Sequence, residues 1–595
     1  MRQSESISSL IKVANRLAKN YEKEATAPEN APKVRIAVLS NFSIQHFTKI
    51  LRYSLDKAGL RSEIYEGEYG GINMDILDDS SPLYKFAPEI VLLLMRHTDV
   101  EVESAEEEIK SLGILWDKLS GIPGVTIFQS NFPCPIERPL GTLESQYTWS
   151  SLSLFREINF LLTKNHPSNV KILDLEYLSA YVGKERWFDY TAYYLTKQGF
   201  SMDYLMDTAD EVTRMVLPMY GMTNKCLCLD LDNTLWDGIV GEDGPLGINL
   251  DPNDPIGEAY RAFQGYVKAL SKRGVILAIN SKNDEANAKE AFEKNPGMVL
   301  SLGDISCFRA NWEDKASNMS YIARHLNIGM DSIVFFDDNP AEREIIRTYC
   351  PGVTVIDVPN EPENFIKALD QSGAFEWSAV SPEDLKRTET YKANEEREAL
   401  ANLAVNYEDY LKALEMRGSC RAVEEAELPR FAQLINKSNQ FNLRTVRYKE
   451  AEIESMMQDK NFACLAVNLQ DRFSEYGLIS CIVLKSGKEA EALGFDNTDI
   501  FIDTWCMSCR VLKRGVEDFA FIRVFEEARA RGAKRIIGEY IPTKKNGMVA
   551  GFYAKLGFRP MKDPLNKDDA FARILYSYEV AERAQPGFRG WIERL

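Results

Sequence analysis

The sequence predicts an α/β protein with three α/β domains, the central one a Rossmann-like fold with a parallel sheet. Three observations support this prediction. Strand-like and helix-like segments alternate over residues 34–216. An apolar run stops abruptly at Asp230 and Asp232, which is typical of a buried parallel strand that ends in a site. From about Cys420 onward, successive strand-like segments precede helical ones, which predicts a mixed sheet.

Composition indicates an ordinary globular protein. The chain has 595 residues, 45% of them hydrophobic, and a formal net charge of −18. That charge argues against nucleic acid as a partner, because phosphate contacts need a basic face. No apolar run is long enough for a membrane span, and the amphipathic start MRQSESISSLIKVANRLAKN lacks a signal-peptide core. Ten cysteines without a disulfide framework fit a reducing compartment, so we expect a cytoplasmic protein with no membrane partner.

Residues 1–223 are predicted to form the first domain. VRIAVLSN, APEIVLLLMRH and GVTIFQSN have the pattern of buried strands, and FTKILRYSLDKAGL that of an amphipathic helix. Strands that end in Ser40-Asn41 and Ser130-Asn131 resemble those of an SGNH- or flavodoxin-like domain, and in SGNH hydrolases a serine after the first strand is the nucleophile. The chain has four histidines, none where such enzymes have their base. We therefore expect a docking or substrate-gating domain, since a serine without a base is a weak nucleophile.

Residues 224–375 are predicted to form the second domain and to carry the chemistry. Polar residues stand where apolar strands end or where a helix begins: Asp230 and Asp232, Ser281, Lys315, and Asp337 with Asp338. The carboxyl ends of neighbouring parallel strands meet at one edge of a sheet, so these side chains are expected to converge. Carboxylate oxygens suit Mg²⁺, one carboxylate can attack phosphorus, and a second can protonate the leaving oxygen.

The motifs DLDNTLW, VILAINSKND, DKASN and FFDDNPAERE resemble, in this order, those of the haloacid dehalogenase (HAD) superfamily of phosphohydrolases and phosphotransferases. The resemblance implies that Asp230 is the nucleophile and a metal ligand. Asp232 would be the general acid and base and would bind the metal through its carbonyl. Ser281 and Lys315 would hold the transferring phosphoryl group.

The same resemblance implies that Asp337 or Asp338 completes the Mg²⁺ shell. Between the first strand and the next helix lies only WDGIVGEDGPLGINLDPND, which predicts a turn and a short flap rather than a large cap domain. An open site of this kind suits a substrate carried on a macromolecule. The alternative is a small flap that closes over a small substrate.

Residues 376–418 are polar and predict a helical connector, and residues 419–595 the third domain. FACLAVNLQ, SEYGLISCIVLK and TDIFIDTWCMS predict antiparallel strands. The following turn, which includes Arg510, Arg514 and Gly515, opens a helix whose free N–H groups can hold phosphate. This turn and KNGMVAGFYAKLGF resemble the cofactor-binding turn and the terminal signature of GNAT acyltransferases. The turn has one glycine where that family usually has two, so the fold is better supported than acetyl transfer.

The three domains together resemble the FkbH-like proteins, most specifically in DLDNTLWDGIVGEDG, FRANWEDKASN, FFDDNPAERE and SCRVLKRGVED. Members of that family load glyceryl or related units from 1,3-bisphosphoglycerate onto an acyl carrier protein for polyketide assembly. The resemblance implies this function here, with Mg²⁺ as cofactor. Two alternatives stay open: a plain Mg²⁺-dependent phosphatase whose flanking domains select the substrate, and a non-enzymatic scaffold, which would have no need of the four motifs.

The thiol that accepts the acyl unit is not fixed by these motifs. Many FkbH-like sequences carry a cysteine directly before the serine of the second motif, and Asn280 stands there in this chain. Cys509, before the basic turn, is the next candidate because a helix N-terminus and Arg510 would lower its pKa. Direct transfer to the thiol of the carrier is the alternative. The basic segments ARARGAKR and PTKKNG are candidates for contact with an acidic carrier protein.

Overall fold

The computed structural model describes residues 7–28, 31–100, 104–378, 380, 385, 397, 400, 406–438, 440–543, 546–565, 573–580, 586–587 and 590–595. Within them the fold is α/β, as predicted, with two parallel sheets and one mixed sheet. The chain divides into two compact units, residues 1–220 with 449–452 and residues 221–448 with 453–595. None of the helices in this described part is both long and apolar enough to cross a membrane.

The first unit contains a five-stranded parallel sheet in the order β2-β1-β3-β4-β5. Its strands are β1 (Lys33–Ser40), β2 (Arg61–Glu66), β3 (Ile90–Leu94), β4 (Thr126–Ser130) and β5 (Val170–Leu173). The central strands β3 and β4 are buried throughout, which explains their continuous apolar sequences. The α-helices of this unit are Ile7–Lys19, Tyr21–Glu24, Gln45–Lys57, Ile72–Leu77, Pro82–Phe86, Ala105–Leu119, Ser151–Asn165, Leu175–Val182, Lys184–Trp187, Tyr190–Thr196 and Leu205–Val216.

The second unit begins with a five-stranded parallel sheet in the order β10-β9-β6-β7-β8. Its strands are β6 (Cys226–Leu229), β7 (Ile276–Ser281), β8 (Cys307–Ala310), β9 (Ile333–Phe336) and β10 (Thr354–Val355). In β6, Leu227 and Leu229 pack into the core on one face, and Cys226 and Cys228 into the core on the other. Both faces are therefore covered by helices, which are Val240–Asp243, Pro255–Lys272, Glu285–Lys294, Lys315–His325, Pro340–Tyr349 and Phe365–Gln371.

The same unit also contains an eight-stranded mixed sheet in the order β16-β17-β15-β14-β13-β12-β11-β18. Its strands are β11 (Met416–Ala422), β12 (Phe462–Gln470), β13 (Glu475–Lys485), β14 (Asp499–Met507), β15 (Arg535–Tyr540), β16 (Arg559–Met561), β17 (Ile574–Glu579) and β18 (Ile592–Arg594). Its helices are Tyr407–Ala413, Leu428–Lys437, Glu450–Gln458, Lys488–Glu491, Val516–Ala530 and Phe552–Lys555. Most of the predicted connector lies outside the described residues, and the predicted domain boundaries stay predictions.

Strands β14 and β15 of the mixed sheet pair in parallel only as far as Ile502 and Gly538 and then diverge. A segment from the loop after helix Leu428–Lys437 fills the gap. Leu443 donates its N–H to the carbonyl of Trp505 on β14 at 3.3 Å and accepts from the N–H of Ile541 beyond β15 at 2.9 Å. The backbone groups that the diverging strands expose are thus satisfied by the chain itself.

Candidate active site

The central strand of the parallel sheet in the second unit supplies Asp230 and Asp232. Strand β6 lies between β7 and β9, and Leu229 at its end pairs with Ile279 on β7 and with Phe336 on β9. Ser281 ends β7, and the two aspartates of the fourth motif directly follow β9. The three strand ends therefore carry the predicted polar residues to one edge of the sheet, where open α/β sheets bind their ligands.

Three carboxylates form an acidic cluster at this edge. Asp230, Asp337 and Asp338 each offer an oxygen, and these oxygens lie within 4.8 Å of one another. Oδ1 of Asp230 is buried and has no hydrogen-bond partner among the described residues. A buried anionic oxygen without a partner is costly, and an all-oxygen donor set matches the preference of hard divalent cations such as Mg²⁺. The cluster therefore fits a divalent cation.

Lys315 places a positive charge inside the cluster. Its Nζ lies 2.7 Å from Oδ2 of Asp230 and 2.6 Å from Oδ2 of Asp337, and its side chain is only 2% exposed. Helix Lys315–His325 begins at this residue, where a cation opposes the helix dipole. Burial lowers the pKa of Lys315, but the two carboxylates outweigh burial and raise it. The ammonium group is therefore held charged between Asp230 and Asp337.

The acids after β9 have raised pKa values. Burial and the charge of Asp230 raise the pKa of Asp337 to about 7, although Lys315 acts in the opposite direction. Burial and Asp230 also raise the pKa of Asp338. Thr234 donates to Oδ1 of Asp338 at 3.1 Å and so fixes that carboxylate next to the β6 turn.

Asp232 is not one of these three carboxylates and is held by three donors. Its Oδ1 accepts from Nε1 of Trp236 at 2.9 Å and from the N–H of Val240 at 3.0 Å. Its Oδ2 accepts from Nδ2 of Asn283 at 2.9 Å, and the same amide lies 3.1 Å from Oγ of Ser281. The carboxylate is therefore oriented by the flap on one side and by the turn after β7 on the other.

Asn283 is a site residue that the sequence analysis missed. It is 4% exposed and connects Ser281 with Asp232. The sequence does contain a signal for it, because Asn283 is a polar residue two positions after Ser281 in VILAINSKND and so lies in the turn after the same strand. Arg343 was missed too: it donates to the carbonyls of Asp337 and Asp338, both at 2.7 Å, and fixes the turn after β9.

Asn280, which stands at the position of the expected cysteine, has a structural contact. It is fully buried, and its Nδ2 donates to the carbonyl of Lys315 at 2.9 Å. The first turn of the lysine helix is thereby attached to β7. The nine cysteines whose side chains are described are all buried, and burial raises the pKa of Cys226 and Cys228 in β6. None of these nine thiols is exposed at the site.

The predicted cofactor turn lies in the third domain. Gly515, with φ of +79°, precedes helix Val516–Ala530. Nε of Arg510 lies 3.1 Å from Oγ of Ser508. Arg514 is buried, lies 3.3 Å from Oδ2 of Asp471, and donates to the hydroxyl of Tyr476. Its guanidinium group is thus held by internal partners, and phosphate binding by this turn stays a prediction.

Two other predictions concern side chains that the structure does not describe. Cys509 begins a short 3-10 helix, Cys509–Val511, but its side chain is not described. Lys544 and Lys545 of the basic segment PTKKNG also lie outside the described residues.

The serines that end strands of the first unit contact backbone groups. The hydroxyl of Ser40 accepts a hydrogen bond from the N–H of Phe42 at 3.1 Å. The hydroxyl of Ser130 accepts a hydrogen bond from the N–H of Met95 at 3.0 Å, so the described contacts of both serine hydroxyls are with backbone groups.

Comparison with known proteins gives one family match and matches to solved structures. A family model described as FkbH, N-terminal domain, matches residues 35–217. The chain is similar to the crystallised N-terminal part of the protein BF1531 from Bacteroides fragilis, which contains a phosphatase domain complexed with Mg. The identity is 31% and the TM-score 0.57, and the match covers 63% of this chain and 100% of that chain. No curated protein matches the sequence.

Acetyltransferase structures match a smaller share of the chain. The ribosomal-protein-S18-alanine N-acetyltransferase from Escherichia coli is 11% identical, covers 29% of this chain and 99% of its own, and gives a TM-score of 0.20. Ard1 from Thermoplasma volcanium is 16% identical, covers 28% of this chain and 99% of its own, and gives a TM-score of 0.21.

Proposed function

Because the chain belongs to the FkbH-like proteins of the HAD superfamily, we propose that it takes a phosphorylated acyl phosphate, 1,3-bisphosphoglycerate or a close relative. Its HAD site removes the phosphate ester, and the glyceryl or related acyl unit is loaded onto an acyl carrier protein. The observation that carries the phosphate chemistry is Asp230, whose buried Oδ1 has no partner among the described residues while its Oδ2 pairs with Lys315. A carboxylate oxygen left free in this way is suited to attack phosphorus.

Mg²⁺ is the cofactor that this site would hold, through Asp230, Asp337 or Asp338, and the carbonyl of Asp232. The BF1531 structure is complexed with Mg, and the donor set here consists of oxygens. When bound, the ion supplies positive charge that stabilises the transferring phosphoryl group.

Residues of the chain carry out phosphoryl transfer in two steps. Asp230 forms a bond to phosphorus while the bond from phosphorus to the ester oxygen breaks, and Asp232 gives that oxygen a proton. A water then attacks the aspartyl-phosphate, with Asp232 as the base that takes its proton, and inorganic phosphate leaves. Ser281 and Lys315 hold the phosphoryl oxygens during both steps. Three donors hold the carboxyl group of Asp232 in one orientation, which supports a fixed role for it in both steps.

Acyl loading is a separate step at the acyl-phosphate end of 1,3-bisphosphoglycerate, which is the acyl donor. A thiolate sulfur bonds to the acyl carbon, the bond from that carbon to the phosphate oxygen breaks, and phosphate leaves with the electron pair. The proton of the thiol ends on the released phosphate. A covalent intermediate on Cys509 is one route and direct attack by the carrier thiol is the other.

A plain phosphatase is the second candidate function. It is favoured by Asn280 in place of the expected cysteine and by the burial of all nine described thiols. A phosphatase needs the acids, Ser281 and Lys315 but no acyl acceptor.

Intact-protein mass spectrometry separates these functions. The enzyme is mixed with 1,3-bisphosphoglycerate, Mg²⁺ and a phosphopantetheinylated carrier protein from the same source, and released phosphate is measured in parallel. We expect a glyceryl-sized gain on the carrier that Asp230→Asn abolishes. A transient gain on the enzyme that is lost in Cys509→Ala would identify the intermediate. Phosphate release without a gain on either protein would reject acyl loading and leave the phosphatase function.

A further inference from the structure

An exposed tryptophan stands beside the phosphoryl-holding residues. Trp312 is 77% exposed, and it lies in the turn that joins β8 to the helix beginning at Lys315. Strand β8 pairs with β7, and the residue before the tryptophan, Asn311, donates its N–H to the carbonyl of Ser281 at 3.1 Å. The indole therefore belongs to the short turn between Ser281 and Lys315. An isolated surface tryptophan needs no explanation, but this one is at the edge of the proposed site.

Side-chain hydrogen bonds hold this turn in one conformation. Nδ2 of Asn318 donates to Oδ1 of Asn311 at 2.8 Å, and Nδ2 of Asn311 lies 3.2 Å from Oδ1 of Asn318. The N–H of Glu313 also donates to Asn311, at 3.1 Å. Asn318 is fully buried, so the network is anchored in the domain. A large aromatic group presented by a fixed turn loses little conformational freedom when a ligand covers it.

The flap presents apolar side chains on the other side of β7. It follows β6, whereas the turn with Trp312 follows β8, and β7 lies between these two strands. Ile239 and Leu246 of the flap are 40% and 69% exposed. The neighbouring Val240 donates its N–H to Asp232, which ties the flap to the reacting centre. The entrance therefore combines a charged floor with apolar sides.

We propose that Trp312 is the residue against which the thiol-bearing arm of the acyl carrier protein lies; this inference rests on the proposed function. The nine described cysteines are all buried, so none of these offers a thiol at the entrance, and in direct transfer the acceptor thiol is that of the carrier. The phosphoryl groups of the donor match Lys315 and the acidic cluster. The arm is a chain of amides and methylenes, uncharged near its thiol, and matches the apolar side of the entrance.

Contact with Trp312 would place the arm for direct transfer. The thiolate of the arm bonds to the acyl carbon, the acyl-to-phosphate C–O bond breaks, and phosphate departs with the electrons and with the proton of the thiol. Trp312 takes no part in this exchange of bonds, so it is a positioning residue. Its loss should weaken use of the carrier and leave unchanged the phosphate release that 1,3-bisphosphoglycerate gives in the absence of carrier.

The test compares Trp312→Ala with Trp149→Ala, a matched control because Trp149 is 70% exposed and lies in the first unit. For Trp312→Ala we expect KM for the phosphopantetheinylated carrier to rise roughly tenfold, with KM for 1,3-bisphosphoglycerate and the rate of phosphate release measured without carrier within about twofold of wild type. Trp312→Phe should recover most of the carrier affinity. The control should match wild type in every constant.

Fluorescence gives a readout that does not depend on turnover. The emission of Trp312 is obtained by subtracting the spectrum of Trp312→Ala from that of wild type. This emission should shift to shorter wavelength when the phosphopantetheinylated carrier is added. The carrier without its arm should cause no shift. If wild type loads the carrier and Trp312→Ala loads it with the same KM, or if only KM for the donor changes, the inference is wrong and the proposed function stands. If wild type releases phosphate but loads no carrier, the proposed function itself is wrong.

Discussion

Replacing Lys315 by methionine removes the one cation that directly contacts the acidic cluster among the described residues. The lysine Nζ lies 2.7 Å from Asp230 and 2.6 Å from Asp337, whose side chain is 0% exposed. Methionine matches the length of the lysine side chain but leaves these carboxylates without a counterion. Breaking a buried ion pair by removing one partner costs about 3–5 kcal/mol, so we expect the metal-free protein to lose about 3 kcal/mol of unfolding free energy at pH 8.

The loss should depend on pH in a defined direction. The pKa of Asp337 is raised to about 7 in the folded protein, whereas an aspartate in an unfolded chain titrates near about 3.9. Between these values the folded state holds a proton that the unfolded state releases, so the contribution of this group to stability falls as pH rises from about 4 to about 7. Without Lys315 the pKa of Asp337 rises further. The penalty of Lys315→Met should therefore be smaller at pH 5.5 than at pH 8.

The assay is equilibrium urea unfolding of the full chain in EDTA at both pH values. The control is Lys289→Met, because Lys289 also forms a 2.6 Å ion pair, with Glu285, but the two side chains are 42% and 46% exposed. An exposed pair contributes at most about 1 kcal/mol, so the control should unfold close to wild type. Equal unfolding midpoints for Lys315→Met and Lys289→Met at pH 8 would refute the claim that Lys315 neutralises buried charge.

Gly538→Ala should destabilise the third domain by about 1–3 kcal/mol, because a Cβ there would lie 2.2 Å from the buried ring of Tyr553. Gly265→Ala, in a helix with open space around the new methyl group, should be neutral or stabilising in the same urea titration. Asn280→Ala should lower the unfolding free energy by about 1 kcal/mol and reduce the rate of phosphate release, because it removes the hydrogen bond to the carbonyl of Lys315. An unchanged rate of phosphate release would show that this hydrogen bond does not contribute to catalysis. EDTA should abolish phosphate release and Mg²⁺ should restore it, and release that persists in EDTA would exclude a divalent-cation enzyme.

The fold class and the four motifs could be predicted because their signals are local. An apolar run that ends in Asp230 or Ser281 is visible within a few residues, and so is the buried pattern of β3 or β9. Strand β2 escaped the sequence analysis because it lies at a sheet edge, where its residues are only partly buried. Edge strands lack the continuous apolar pattern from which central strands are predicted.

The supporting side chains could not be predicted because their partners are distant in the sequence. Asn283 contacts Asp232 across 51 positions, and Thr234 contacts Asp338 across 104. Arg514 illustrates the opposite problem. Its position before a helix favours phosphate binding locally, yet its contact in the fold is with Asp471, 43 positions away. Sequence spacing within a turn does not reveal whether a cation is already paired.

The charge balance of the site argues that substrate and divalent cation bind together. Asp230, Asp337 and Asp338 bring three carboxylates to one cluster, and Lys315 brings one ammonium group. The raised pKa values of Asp337 and Asp338 express the resulting excess of negative charge. A phosphoryl group adds further negative charge, so the lysine alone cannot compensate for it at neutral pH. A cation in the cluster must therefore raise the affinity for the phosphorylated substrate, and by linkage the substrate must raise the affinity for the cation by the same factor.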